Sequence, residues 1–460
     1  MTVRITRPIQ GGTVRAPASK SEAQRLLLCA ALADSETFVA CPEISRDIGT
    51  MARCLDELGA AVRYNTARRK FACKFTRQAK LDGRGAARAA LPRPPAYCEG
   101  GFTVTPLGRT ASGSQNRADI FCGESGAALR FLLPVCAALG IPAAFHMEGR
   151  LPKRPISALC GAMAANGCVF SEPGLFPLTL EGKLKSGQYI LPGDISSQFV
   201  SGLLFALPLL DGDSKIHITG ALQSRPYADM TLNALRLFGI KAQQDDHGFC
   251  VSGGQVYLSP KTVRVGGDWS GAAFWLAAGA IAKTTVTCTG LDLASKQGDR
   301  AITKLLSRFG ARVSQQGDAV TVYPGELNGI EISAEDIPDL VPALAAAAAC
   351  ARGKTVIKNA ARLRFKESDR IHTTAQALSM LGADITETAD GLIIIGKSKL
   401  PGGDTQSFGD HRIAMATAIL SGACEGPVTI RGAHAAQKSY PAFFEDFADG
   451  LGAQLRRIED

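Results

Sequence analysis

Asp268-Trp269-Ser270 leads into the run GAAFWLAAGAI at residues 271–281. A polar or hydroxyl-bearing start followed by small apolar residues reads as the N-terminus of a small-residue apolar helix. The same arrangement occurs five more times. Lys20-Ser21-Glu22-Ala23-Gln24-Arg25 precedes LLLCAALA, Glu124-Ser125-Gly126 precedes AALRFLLPVCAAL, and Ser196-Ser197-Gln198 precedes FVSGLLFALPLL. Pro338-Asp339 precedes LVPALAAAAACA, and Asp410-His411-Arg412 precedes IAMATAILSGA.

A second element recurs in step with the first. Gly59, Gly167, Gly239, Gly310, Gly382 and Gly452 each stand where a helix would end and alternating strand residues begin. Glycine takes the left-handed conformation that closes a helix without steric cost. Successive glycine separations are 108, 72, 71, 72 and 70 residues. The helix starts, taken at Lys20, Ser125, Ser196, Asp268, Asp339 and Asp410, are separated by 105, 71, 72, 71 and 71. Two independent markers with one period of about 71 residues identify a repeat. Each unit reads as two helices and several short strands, a βαβαββ-like pattern. The period is too long for a common solenoid, and six units fit an α/β fold of two three-unit domains.

The first interval exceeds the period by about 35 residues, and the excess falls within 65–118. That stretch holds 11 Lys and Arg against two Asp and Glu, which accounts for the whole net charge of +9. The basic balance is therefore one local feature and not evidence of a nucleic-acid-binding surface; the stretch reads as a solvated surface insertion, with a docking site for an acidic partner as the alternative. Thirteen scattered cysteines without CxxC or His-paired spacing, several inside apolar runs (Cys29, Cys136, Cys350), imply reduced core thiols rather than a disulfide framework or a metal site. The N-terminus lacks an apolar signal core. The longest apolar run, 340–351, contains Pro342 and is too short to span a bilayer. A cytoplasmic protein without membrane association is expected.

Helix N-termini carry unpaired N–H groups and partial positive charge, so several aimed at one cleft would hold anions. Here the starts also bring Lys20, Arg25, Arg130 and Arg412, with Arg154 and Lys438 in nearby loops. The stretch Lys366-Glu367-Ser368-Asp369-Arg370 adds more charge at the start of the fifth unit's second helix. Arginine grips phosphate or carboxylate at two points, and Ser21, Ser196, Ser197 and Gln198 offer bonds to hydroxyls. Taken singly, Ser125, Ser196, Asp268 and Asp339 read as N-caps, and His411 as a satisfied structural or supporting residue. Their joint pattern of Lys, Arg and Gln is more than capping requires.

These stretches resemble the enolpyruvyl transferases, and among them the 3-phosphoshikimate 1-carboxyvinyltransferase (5-enolpyruvylshikimate-3-phosphate synthase) family. The matching residues are Pro17 to Ser21 with Arg25, Glu124 to Gly126 with Arg130, Arg154 to Ile156, Ser196 to Gln198 and Ser224 to Tyr227. They continue with Gly267 to Ser270, Pro338-Asp339, Lys366 to Arg370, Asp410 to Arg412 with Met415, and Lys438 to Pro441. The resemblance implies a two-domain inside-out α/β fold of six βαβαββ units closing on a central cleft. Its domains would be 18–263, and 1–17 together with 264–460. It also implies transfer of the enolpyruvyl group of phosphoenolpyruvate to the 5-hydroxyl of shikimate 3-phosphate, with release of phosphate and no metal or organic cofactor. By motif, Lys20, Ser21, Arg25, Ser196, Ser197, Gln198, Ser224, Asp339 and Lys366 would hold shikimate 3-phosphate. Lys20, Gly126, Arg154, Gln198, Arg370, Arg412 and Lys438 would hold phosphoenolpyruvate. Asp339 is the candidate base, Glu367 the candidate acid with a pKa raised by burial, and Lys20 a charge stabiliser or proton relay. The partners are small anionic molecules, and the protein would act as a monomer.

The sequence departs from the family pattern at Ala18, where glycine is usual, at Phe131, where some members have proline, and at Arg362, where some have asparagine. Two other readings are open: a UDP-N-acetylglucosamine enolpyruvyl transferase, against which Lys20-Ser21 and Lys366 to Arg370 argue, and a non-catalytic sugar-phosphate binding protein.

Overall fold

The computed structural model describes residues 1–66, 100–107, 117–172 and 174–458. Among these are six four-stranded sheets built on one plan. In the second unit, strand Ala118–Gly123 leads to helix Gly126–Leu139, strand Ala143–Met147, helix Ser157–Ala164, and strands Cys168–Phe170 and Leu178–Gly182. The first two strands pair parallel and the remainder antiparallel. This is the βαβαββ order expected from the period, because a parallel pair needs a crossover helix whereas the last two strands need only a turn.

Three sheets borrow strands from distant sequence. Thr262–Arg264 pairs parallel with Thr37–Ala40 in the first unit's sheet. Gly12–Arg15 pairs parallel with Val286–Thr289 in the fourth, and Thr2–Arg7 lies between Val428–Arg431 and Gln454–Ile458 in the sixth. The buried apolar residues accordingly form two cores. One joins Val3 to Ala16 with Trp269 to Ala453, and the other runs from Ala18 to Val265. The two segments joining the cores run side by side, with Ser19 N–H donating to the Gly266 carbonyl and Asp268 N–H to that of Pro17, each at 2.8 Å.

The six glycines at the unit boundaries all have positive φ, from 73° at Gly452 to 113° at Gly310. Five of the six apolar helices start on a side-chain cap: Ser19, Ser125, Ser196, Asp268 and Asp410 each accept from an N–H of their own helix. Asp339 differs. It sits in a 3-10 turn ahead of helix Val341–Ala348 and makes no capping bond. Its carboxylate is spent elsewhere.

Two corrections follow. Strand Gly101–Thr105, assigned to the insertion by spacing, pairs with Ala61–Asn65 and Thr37–Ala40 and is an integral strand of the first unit. Residues 67–99 and 108–116 of the basic insertion lie outside the described residues. The sixth unit also lacks a continuous second helix. It has a 3-10 turn, Ala433–Lys438, a single turn, Phe443–Glu445, and a π turn, Asp446–Gly450. Pro441 between them has no N–H to donate and blocks helix continuation. Cys29, Cys136 and Cys288 are buried free thiols. No helix among the described residues is long and apolar enough to cross a membrane.

Candidate active site

The starts of five of the six apolar helices, all but that at Asp268, face one cleft between the two cores. It is lined from one side by Lys20, Ser21, Arg25, Gly126, Arg154, Ser196, Ser197, Gln198 and Ser224, and from the other by Asp339, Lys366, Glu367, Arg370 and Arg412. Every expected site residue except Lys438 lies on this lining. Lys438 is turned into the adjoining recess, where its Nζ donates to Glu124 Oε2 at 3.2 Å.

Asp339 is the centre of the site. Its Oδ1 lies 3.0 Å from Arg370 Nη1 and 3.9 Å from Lys366 Nζ, and its Oδ2 lies 3.0 Å from Arg412 Nη2. Tyr227, from the other core, donates its hydroxyl to the same Oδ2 at 2.8 Å. Burial alone would raise this carboxyl's pKa, but Arg412, Lys366 and Arg370 outweigh it and hold the pKa well below the usual range. Arg370, 1 % exposed, is ringed by carboxylates: Glu367 Oε2 at 2.6 Å, Asp339, and Asp410 Oδ2 at 2.9 Å. Asp410 is buried and also caps the helix of Arg412, so one carboxylate fixes both arginines.

Glu367 corrects the expectation of a raised pKa. Burial pushes in that direction, yet Arg370, Arg154 and Lys438 reverse it and hold the group well below an ordinary glutamate. The summed field of three cations exceeds the desolvation cost. At Lys366 burial wins instead: aided by Arg370 and Arg362, it pushes the pKa down to about 8.

On the opposite wall two buried arginines, Arg25 and Arg130, have no carboxylate partner among the described residues. Arg25, 2 % exposed, donates to the Ser21 and Tyr227 carbonyls and to Thr231 Oγ1, and packs against the Phe131 ring at 5.1 Å. Burial lowers its pKa to about 10. Arg130 donates to Gln198 Oε1 and the Pro155 carbonyl. Nε of Arg130 and Nε of Arg154 are buried without hydrogen-bond partners among the described residues. Gly126 sits against both guanidinium groups: a Cβ there would lie 2.6 Å from Arg130 Nη1 and 2.8 Å from Arg154 Nη1.

His411 also departs from expectation. It lines the cleft, is 1 % exposed, and neither ring nitrogen has a hydrogen-bond partner among the described residues. Burial first, then Lys20 and Arg412, lower its pKa well below the usual value, which keeps the ring neutral. Arg362 lines the cleft with a buried Nε that has no hydrogen-bond partner among the described residues.

The sequence reading missed Asp47, whose Oδ2 lies 3.1 Å from Lys20 Nζ, and Gln24, which bridges the Asp47 carbonyl and Ser125 Oγ. It also missed Asp299, a buried carboxyl bonded to Ser270 Oγ, whose pKa burial lifts to about 7. Asp47 and Asp299 belong to the start of the second helix of their units, the position Lys366 to Arg370 occupies in the fifth. A search for polar residues at those second-helix starts would have found both.

A site of clustered cations around two ionised carboxylates, between two three-unit halves, has a match among known proteins. The sequence matches the profile of EPSP synthase (3-phosphoshikimate 1-carboxyvinyltransferase) over residues 3–80 and 101–447. A 3-phosphoshikimate 1-carboxyvinyltransferase from Clostridium kluyveri is 39% identical over 446 residues, covering 96% of both chains. One from Methanocorpusculum labreanum is 36% identical, covering 99% of this chain and 100% of the other. Among solved structures, EPSP synthase from Acinetobacter baumannii superposes with a TM-score of 0.76 at 25% identity, covering 99% and 100% of the two chains. The enolpyruvyl transferase NikO from Streptomyces tendae shares the fold at a TM-score of 0.73 and 19% identity, covering 99% and 98%. The architecture is the two-domain inside-out α/β fold of these enzymes, and the chain belongs to the EPSP synthase (3-phosphoshikimate 1-carboxyvinyltransferase) family.

Proposed function

We propose that this chain transfers the enolpyruvyl group of phosphoenolpyruvate to the 5-hydroxyl of shikimate 3-phosphate and releases phosphate. The observation that carries the reading is the set of cations, Lys20, Arg154, Lys366, Arg370 and Arg412, lining one cleft around Asp339 and Glu367. The two substrates bring two phosphates and two carboxylates within a few ångströms of one another, and their repulsion demands a matching number of cations. Shikimate 3-phosphate is assigned to Lys20, Ser21, Arg25, Ser196, Ser197, Gln198, Ser224, Asp339 and Lys366. Phosphoenolpyruvate is assigned to Lys20, Gly126, Arg154, Gln198, Arg370, Arg412 and Lys438.

In the addition step, the 5-hydroxyl oxygen bonds to C2 of phosphoenolpyruvate, Asp339 takes the hydroxyl proton, and Glu367 delivers a proton to the C3 methylene. In the elimination step, a methyl proton returns to Glu367 and the enol ether double bond re-forms, while the C2–O bond to phosphate breaks with its electron pair on the phosphate oxygen, which takes up the proton held by Asp339. Both carboxyls are held ionised by the cations around them. Substrate phosphates and carboxylates engage those same cations, weaken their hold and raise both pKa values, so that Glu367 takes up a proton from solvent as phosphoenolpyruvate binds to its cations, while Asp339 stays ionised until it takes the hydroxyl proton. Lys20, tied to Asp47, offsets charge that develops near the hydroxyl and phosphate.

The two cores would be domains, 18–263 and 1–17 with 264–460, that close on the substrates and exclude water. Contacts between the cores support this: Tyr227 with Asp339, Lys438 with Glu124, and Arg154 Nη1 with Glu367 Oε1 at 4.0 Å. A cytoplasmic monomer that engages neither nucleic acid nor membrane is the reading that fits such a reaction, and sedimentation and cell fractionation test it. Phosphate release that needs both shikimate 3-phosphate and phosphoenolpyruvate is the expected result for the reaction. Turnover with UDP-N-acetylglucosamine in place of shikimate 3-phosphate would replace this reading with its nearest rival.

A further inference from the structure

Helix Arg225–Leu237 begins without a cap of its own. Ser224 precedes it at φ 55° and ψ 37°, in the left-handed region, and its side chain makes no capping bond. A residue with a Cβ occupies that region only when its surroundings hold it there. The first N–H groups of a helix need acceptors, and here the acceptors come from across the cleft. Ser224 N–H donates to the Glu335 carbonyl at 3.1 Å, and Arg225 N–H donates to Asp336 Oδ1 at 3.2 Å.

Glu335 and Asp336 lie between Ala334 and Ile337 of one core, whereas Ala228 of the helix belongs to the other. The guanidinium of Arg362, which lines the cleft, donates to the same Glu335 carbonyl. Pro226 closes the contact: a Cβ on Gly298 would lie 2.9 Å from Pro226 Cγ and 2.8 Å from the Asp336 carbonyl, so the surfaces meet without spare room. This turn therefore grips the uncapped helix in trans. Two residues on the gripped segment face the chemistry, Ser224 on the cleft lining and Tyr227 with its hydroxyl on Asp339. Asp336 is itself exposed and not part of that lining.

We propose that Asp336 is a positioning residue that caps helix Arg225–Leu237 from the opposite half and thereby couples the approach of the two halves to the seating of Ser224 and Tyr227. It rests on the enolpyruvyl-transfer reading, in which Ser224 holds shikimate 3-phosphate. Loss of the cap leaves the cations and carboxylates of the site in place but makes the substrate restore the helix start at its own expense.

The test uses the full chain with Asp336→Ala and Asp336→Asn. Removing a side-chain cap is expected to raise the KM for shikimate 3-phosphate about five-fold. The KM for phosphoenolpyruvate should stay unchanged, and kcat should stay within about two-fold. Hydrogen exchange at residues 224–228 should speed up in the Ala variant. Asparagine keeps an accepting oxygen, so Asp336→Asn restores both the KM and the protection. An Ala variant with unaltered KM and exchange overturns the proposal, as does an Asn variant as impaired as Ala. Failure of the unaltered protein to turn over the two substrates would refute the reaction instead, and the exchange measurements would still decide whether Asp336 grips the helix.

Discussion

Gly126→Ala is a one-carbon perturbation at the point where the cations meet. The added Cβ would stand 2.6 Å from Arg130 Nη1, 2.8 Å from Arg154 Nη1 and 3.1 Å from Arg154 Cζ. Ordinary contact for such atoms begins near 3.4 Å, so both guanidinium groups must retreat by more than half an ångström. Arg130 has little freedom to do so, being 2 % exposed and tied to the Pro155 carbonyl at 2.8 Å. Arg154 is the group that gives way, and it is assigned to phosphoenolpyruvate. Loss of one charge-assisted hydrogen bond is worth about 1.5–3 kcal/mol, which is about 10- to 150-fold in binding. The expected result is a rise of that size in the KM for phosphoenolpyruvate, with the KM for shikimate 3-phosphate within about two-fold. Steady-state phosphate release at saturating shikimate 3-phosphate reads it directly. Alanine favours helix over glycine by up to about 1 kcal/mol, so the helix itself gives no reason for misfolding. Gly161→Ala, on helix Ser157–Ala164 where a Cβ meets nothing within 4 Å, serves as the control and should leave both KM values unaltered. An unchanged KM for phosphoenolpyruvate in Gly126→Ala would refute the placement of that substrate between Gly126 and Arg154.

Two further expectations come from the charge state of the site. Glu367→Gln should leave binding of shikimate 3-phosphate largely intact while kcat falls about 10²- to 10⁴-fold, and turnover near the unaltered rate would remove Glu367 from proton transfer. Lys366, with its pKa lowered to about 8 by burial, is partly neutral at about pH 8.5. A bound phosphate favours its charged form, so binding of shikimate 3-phosphate at that pH should take up a proton, and Lys366→Met should abolish the uptake. Calorimetry in buffers of different ionisation enthalpy measures it, and proton release or no exchange in the unaltered protein would contradict the assignment. Stability follows the same sign. The folded-state pKa lies below the unfolded one, so the cost of burying this charge is present below about pH 8 and is relieved as the pH rises toward the unfolded value.

The repeat was legible in the sequence because it is local. A glycine that must take positive φ and a polar residue that must start a buried helix leave marks within a few positions, and six copies made their spacing unmistakable. Strand Gly101–Thr105 was not legible, since its assignment comes from pairing with Ala61–Asn65 and Thr37–Ala40, both distant in sequence. The cleft residues were legible by type, as polar helix starts and by family resemblance. Their partners were not: Asp47 with Lys20, Asp410 with Arg370 and Glu124 with Lys438 are pairings of residues far apart in sequence. The charge state of Glu367 is not legible for a related reason. Burial is readable from an apolar neighbourhood, but the sum of Arg370, Arg154 and Lys438 around one carboxylate exists only in three dimensions. The sequence implies a satisfied His411, and its two ring nitrogens, unpartnered among the described residues, appear only once the surrounding cations are in place. The trans cap on helix Arg225–Leu237 had no sequence signature at all, because the helix and its cap belong to different halves.

The central claim is that this cleft joins two anionic substrates and expels phosphate. Phosphate release by the purified chain, measured with each substrate alone and with both together, tests it most directly. Release only when shikimate 3-phosphate and phosphoenolpyruvate are both present, with one enolpyruvyl ether formed per phosphate, is the predicted result. Absence of release with both substrates, or equal release from phosphoenolpyruvate alone, would contradict it.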